Sequence, residues 1–209
     1  MAKNLIPQCK QCRRAGQKLF LKGERCYSQK CEIVKRNYPP GIHGVKGKKR
    51  QSEYGMQLQE KQNAKKEYGL LEKQFRLTFE KAKREQGQAG ENLLKLLETR
   101  LDNAIYRLGI AANRNQARQI IGHGHIVVND KKVNIPSFQL KSGDVIKIKP
   151  ASKKSKLFSD LETKLKKTQI PGWLNFDVKE STAKILHRPN MDDIKTNINV
   201  QMIVEYYSK

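Results

Sequence analysis

The chain has 209 residues, 37% of them apolar, and its 43 Lys and Arg against 20 Asp and Glu give a formal charge of +23. That balance points to a polyanionic partner. No stretch approaches the roughly 18–20 apolar residues of a membrane span or the apolar core of a secretory leader, so the sequence predicts a soluble, cytosolic protein.

The charge is concentrated at the start. Residues 1–50 carry fourteen cations against only Glu24 and Glu32, a local charge of +12. The same segment holds all four cysteines, in "CKQCRRAGQKLFLKGERCYSQKC", spaced C-x2-C-x13-C-x4-C at Cys9, Cys12, Cys26 and Cys31. A reducing compartment argues against disulfides. Two short-spaced thiol pairs across a loop suit a tetrahedral ion, and four thiolates leave no open position for a catalytic water. The expected cofactor is therefore a structural Zn²⁺, with a [4Fe-4S] cluster as the alternative that spacing alone does not separate. The metal would replace a core that "RRAGQKLFLKGER" is too polar to build. The cations Lys3, Lys10, Arg13, Arg14, Lys18, Lys22, Arg25, Lys35 and Arg36 are expected to meet phosphate, because a merely solvated face mixes signs.

"NYPPGIHGVKGKKRQSEYG" is a Pro/Gly-rich bend leading to the basic run Lys46, Lys48, Lys49 and Arg50, with Ser52 placed to cap a helix. His43 in the bend is a candidate polyanion contact, and the nonperiodic Tyr38 is the aromatic least accounted for by packing, the best candidate for stacking on a base if the polyanion is a nucleic acid. From Glu53 to about Glu85 the pattern is that of two or three amphipathic helices interrupted at Gly69. Tyr54, Lys61 and Arg76 on them are further candidates for contact with the polyanion.

"ENLLKLLETRLDNAIYRLG" is the most periodic segment. Leu93, Leu94, Leu97, Leu101, Ala104, Ile105 and Leu108 share one helical face, Arg100 and Arg107 lie along its edge, and Gly109 stops it. Asn113 then caps "RNQARQII", whose Ala117, Ile120 and Ile121 form a buried side. Arg114, Gln116 and Arg118 are expected to face RNA, because no acid lies at helical spacing to pair with the arginines. His123 and His125 form a polar corner read as RNA-facing. "HIVVNDKKVN" and "FQLKSGDVIKIK" follow as antiparallel strands, with Lys131 and Lys132 just past the Asn-Asp turn. Further on, "KLFSDLETKLKK" predicts a short helix and "GWLNFDV" and "AKILHR" predict strands. "NINVQMIVEYYSK" is ambiguous by period.

"RLDNAIYRLGIAANRNQARQIIGHGHIVVNDKKVNIPSFQLKSGDVI", with "SEYGMQLQEKQ", "YGLLEKQFR" and "GENLLKLLE" before it and "VEYYSK" at the end, resembles the bacterial small-subunit ribosomal protein S-four family over essentially the whole chain. The four-cysteine arm looks like the metal-binding version. Two departures are Asp130, where an Asn-Gly turn is usual, and Ile42, where Gln is usual. The resemblance implies an α+β protein. Its metal-stapled basic arm spans 1–45 and an all-α domain spans 46–90 plus about 195–209. An inserted RNA-binding α/β domain spans 91–194, with a helix-turn-helix and antiparallel strands at about 99–150. It also implies direct binding to the 5′ domain of small-subunit (16S) ribosomal RNA, nucleation of small-subunit assembly and an influence on translational accuracy. Implied partners are neighbouring small-subunit ribosomal proteins and, through Lys46, Lys48, Lys49 and Arg50, messenger RNA where it enters.

Shape and backbone recognition of an RNA junction suits distributed cations and needs no catalytic constellation. An RNA-modifying enzyme with the same accessory module would need acids arranged for chemistry, which the sixty residues from 150 to 209 lack. A DNA-binding regulator would need a dimerisation pattern, and no heptad is present.

Overall fold

The computed structural model describes residues 6–208 apart from 48, 49, 154, 156, 159–164, 166, 167, 178, 179 and 195. Lys3, Lys48 and Lys49, and most of the helix expected at 156–167, lie outside the described residues. The secondary structure is mixed, helices with an antiparallel sheet, as α+β requires. The chain divides into two units, one of residues 1–93 with 196–209 and one of residues 94–195.

In the first unit the arm forms α1 (Gln8–Ala15), α2 (Glu24–Tyr27) and α3 (Glu32–Lys35). Its few apolar anchors are Ala15 and Leu19, and the Gln59 side chain donates to the Ala15 carbonyl at 3.0 Å. A 3-10 turn at Ile42–Lys46 follows the bend. Ser52 caps α4 (Glu53–Glu67) by accepting from the Gly55 N–H. Gly69, at φ +64°, turns the chain into α5 (Glu72–Arg84), which buries Phe75, Phe79 and Ala82.

The segment whose period was ambiguous is helical, α10 (Val200–Ser208), and packs on α4. Its Tyr207 ring lies 4.5 Å from Phe79 and 6.4 Å from Phe75, supplying the apolar face that α4 alone does not have. Lys61, expected at the RNA, is 3% exposed and donates to Glu72 at 2.6 Å. Lys65 reaches the other Glu72 oxygen at 2.8 Å, and the Tyr207 hydroxyl donates at 3.3 Å. Burial, then the neighbouring Glu72, pushes the Tyr207 hydroxyl above its ordinary range, so it stays a donor. Burial pushes the Glu72 carboxyl up, but the ammonium groups of Lys61 and Lys65 outweigh it and hold the carboxyl below its usual range. A carboxyl held low in the folded state contributes stability above its unfolded value, and that contribution fades as pH falls through the folded value. Denaturant unfolding at neutral pH and near pH 3 should therefore show a smaller acid-induced loss in Glu72→Gln than in the wild type. The variant should start from lower stability at neutral pH.

In the second unit, the helix expected to run unbroken to Leu108 is two helices, α6 (Ala89–Glu98), which begins in the first unit, and α7 (Leu101–Arg107). The break has a tertiary cause. Arg100 is extended and bridges to Gln139, and the Leu101 and Asp102 N–H groups donate to the Phe138 and Pro136 carbonyls. A loop thus caps α7 where the sequence offers no capping side chain. Asn113 caps α8 (Arg114–Gly122) through the Gln116 N–H, as its position predicted.

Five antiparallel strands follow in the order β2-β1-β3-β5-β4: β1 (Ile126–Val128), β2 (Lys131–Lys132), β3 (Val145–Ile148), β4 (Leu174–Asp177) and β5 (Thr182–Ile185). Asn129 and Asp130 both take positive φ, 48° and 62°, so the β1–β2 turn has the twist of an Asn-Gly turn without the glycine. A short α9 (Pro150–Lys153) leaves the end of β3. Ile126, Val128, Ile146, Ile148, Ala183 and Ile185 pack with Leu101, Ala104, Ile105 and Leu108 of α7, with Ala117, Ile120 and Ile121 of α8, and with Trp173. Val127, Val145, Lys147 and Lys184 alternate with the buried strand residues and are half-buried or exposed.

Candidate nucleic-acid interface

The arm presents the largest set of accessible cations. Lys10, Arg14, Lys18, Lys22, Lys35, Arg36, Lys46 and Arg50 are exposed, as is His43, and none of them has an ion-pair partner among the described residues. With Glu32 held by Arg25 at 3.2 Å, little negative charge offsets this surface. Arg25 is thus partly committed. Arg13 is more so, because its guanidinium donates to the Tyr38 carbonyl at 3.0 Å and lies 4.7 Å over the Tyr38 ring. Tyr38, expected as a base-stacking ring, instead joins α1 to the bend.

The four cysteines are unbridged, with Cys26 and Cys31 buried and Cys9 and Cys12 partly buried. The Cys26 sulfur accepts from the Lys22 N–H at 3.3 Å. Burial pushes the Cys12 thiol up, a Leu19 N–H bond lowers it, and Cys26, Cys9 and Cys31 together raise it further, so all four sulfurs share one neighbourhood. Among the described residues no three His, Cys, Asp or Glu side chains stand in ion-holding geometry. Beyond the arm, Tyr54 is exposed and 5.6 Å from Tyr206, and Arg76 is exposed but paired with Glu80 at i,i+4.

In the second unit the expected arginines have protein partners that sequence spacing could not reveal. Arg100, 4% exposed, forks onto both Asp102 oxygens at 3.0 and 2.9 Å, and Arg118 reaches the same carboxylate at 2.7 Å. Arg107 forks onto Glu98 at 3.0 and 2.7 Å, and Glu98 also accepts from Asn103. Arg114, 7% exposed, donates to Asn103 at 2.9 Å and stacks on Tyr106 at 4.6 Å. No acid lies at helical spacing on α8, as expected, but the expectation that both arginines therefore turn to RNA is corrected for Arg114: Arg118 reaches Asp102 on α7, and Arg114 is buried against Asn103 and Tyr106. Gln116 is half-buried and accepts from the Ala112 N–H. Arg100 and Arg114 are therefore internal, whereas Arg107 and Arg118 keep 20% and 13% of their side chains exposed.

His123, Lys131 and Lys132 are exposed at the other end of α8, and His125 is half-buried with Nδ1 2.9 Å from the Ser152 hydroxyl. Lys149, exposed where β3 ends, donates its N–H to the His125 carbonyl at 2.9 Å. The sequence reading did not single it out, although the period-two spacing from Lys147 would have found it.

Residues 3–98 match the ribosomal protein S4/S9 N-terminal domain, and residues 99–146 match the S4 domain. The small ribosomal subunit protein uS4 of Heliobacterium modesticaldum is 52% identical over 209 residues, the full length of both chains. That of Clostridioides difficile is 51% identical over 209 residues, again the whole of both. That of Syntrophomonas wolfei is 49% identical over 201 residues, 96% of each chain. With half of all positions identical from end to end, and both domains matched in order, the chain belongs to the ribosomal protein uS4 family.

Proposed function

We propose that this protein binds small-subunit ribosomal RNA directly, nucleates assembly of the small subunit and contributes to translational accuracy. Its role is structural rather than catalytic. The observation that carries the reading is the surface of the arm and of the basic run after it, where eight exposed cations have no ion-pair partner among the described residues. Such cations suit an irregular line of phosphates, which they neutralise with release of counterions. Neighbouring small-subunit proteins are the expected protein partners. Lys46 and Arg50 in the second half of the bend are the described part of the basic run that would meet messenger RNA where it enters. Lys131 and Lys132, the two histidines of the corner, and the exposed parts of Arg107 and Arg118 supply the second unit's contacts. Co-sedimentation with the small subunit tests the reading. The protein should travel with assembled subunits and bind their RNA in preference to unrelated RNA of equal length, and equal binding to both would overturn it.

The donor set of the arm suits a structural ion. Cys9, Cys12, Cys26 and Cys31 are four thiols in one neighbourhood, and two of the sulfurs already receive backbone N–H bonds, as thiolates in such sites do. Zn²⁺ is proposed, with a [4Fe-4S] cluster as the second candidate. Bound there, the ion would tie α1 to α2 and to the start of α3, in a segment whose apolar anchors are few. Replacing Cys9 or Cys26 with Ser, or chelation, should abolish amide protection between residues 8 and 36 and leave that of α4 and α5 intact. Unchanged arm protection after both treatments would contradict the metal.

A further inference from the structure

We propose that the His123–Gly124–His125 corner seats one backbone phosphate of the bound RNA, with Lys132 as its cation. The inference rests on the RNA-binding reading above and deepens it by assigning a ligand to one corner. Gly124 sits at φ +72°, and a Cβ built there would stand 2.3 Å from Lys132 Cε and 3.1 Å from its Nζ. The far end of the Lys132 side chain therefore lies over the glycine, in space that a side chain at 124 would share. The two imidazoles flank this position with ring centroids 6.0 Å apart. His125 is fixed by Ser152 at Nδ1 and by an edge contact with the Phe158 ring at 6.0 Å. Lys149 is tied to the His125 backbone from the end of β3.

Two chain segments thus bring one ammonium group and two imidazoles to one corner, and the backbone of a third braces His125. The nearest acid on the β1–β2 turn, Asp130, is held by Lys147 at 2.8 Å. Lysine ammonium and imidazole N–H groups are all donors suited to phosphate oxygens. The corner lacks the planar, forked donor and acceptor pattern that reads a base edge. A phosphate, and not a base, is the ligand that fits.

The test uses the full chain with small-subunit RNA carrying the 5′ domain, measuring affinity against salt for the wild type, Lys132→Gln, Gly124→Ala and the double variant. Lys132→Gln keeps the stem and removes the charge. It should reduce the slope of log K against log salt by about 0.7–0.9, equally for RNA variants that keep their shape but change bases. Gly124→Ala leaves the charge on a flexible stem that can swing aside, so it should cost less slope than Lys132→Gln, and in the Lys132→Gln background it should cost no further slope. A wild-type slope in Lys132→Gln, or a loss that depends on base identity, overturns the phosphate seat while leaving the RNA-binding reading in place. A wild-type protein that does not prefer small-subunit RNA overturns that reading itself.

Discussion

Asp102→Asn should lower the stability of the 94–195 unit by roughly 3–5 kcal/mol. Asp102 is 1% exposed and accepts from both Arg100, which is 4% exposed, and Arg118. Taking one partner from a buried pair leaves an uncompensated guanidinium in a low-dielectric site, which costs far more than the pair contributes. Because Arg100 immediately precedes α7 and Arg118 lies on α8, the loss falls on the packing of these two helices, and Asn cannot replace a carboxylate that accepts from both. Trp173, the only tryptophan in the chain and fully buried in this unit's core, provides the probe. For a unit of about a hundred residues such a loss corresponds to a fall in melting temperature of well over 10 °C. Replacing Arg100 with Met alongside Asp102→Leu should recover part of it, since apolar groups of similar volume can substitute for a buried pair. A change in unfolding free energy below about 0.5 kcal/mol in Asp102→Asn would show that the network contributes nothing.

The same network shows where sequence reading stops. Leu101, Ala104, Ile105 and Leu108 are fully buried, as their spacing predicts, because a helical face is a local property. Ser52 and Asn113 cap their helices for the same reason: a cap reaches only three residues. Arg118 and Asp102 are sixteen residues apart on different helices, so a search at i±4 finds no partner. Arg13 and Tyr38 are twenty-five apart. The break between α6 and α7 is set by the Phe138 and Pro136 carbonyls, which no pattern near Arg100 announces. α10, whose period is ambiguous, is decided by the fit of Tyr207 against Phe75 and Phe79. In the candidate interface, the arm cations were legible because charge excess needs no tertiary knowledge. The burial of Arg100 and Arg114 was not legible, because burial does need it.

Neutralising the arm should weaken RNA binding more than any change in the second unit. Lys10, Arg14, Lys18 and Lys22 are exposed and lack ion-pair partners among the described residues. Changing them to Gln leaves the cysteines and the Arg13–Tyr38 contact in place. If each meets one phosphate, removing four lowers the salt slope by roughly 3, at about 0.7–0.9 per contact. The corresponding affinity loss at low salt is on the order of a thousandfold or more, and it narrows as salt rises because the lost interactions are themselves screened.

The most direct measurement of the central claim is therefore the salt dependence of binding to small-subunit ribosomal RNA for the intact chain and for this four-residue variant, with amide exchange confirming that the arm stays folded. The account predicts a steep slope for the intact chain and a slope shallower by roughly 3 for the variant. Equal slopes, with the arm folded in both, would contradict it and remove the arm from the RNA interface.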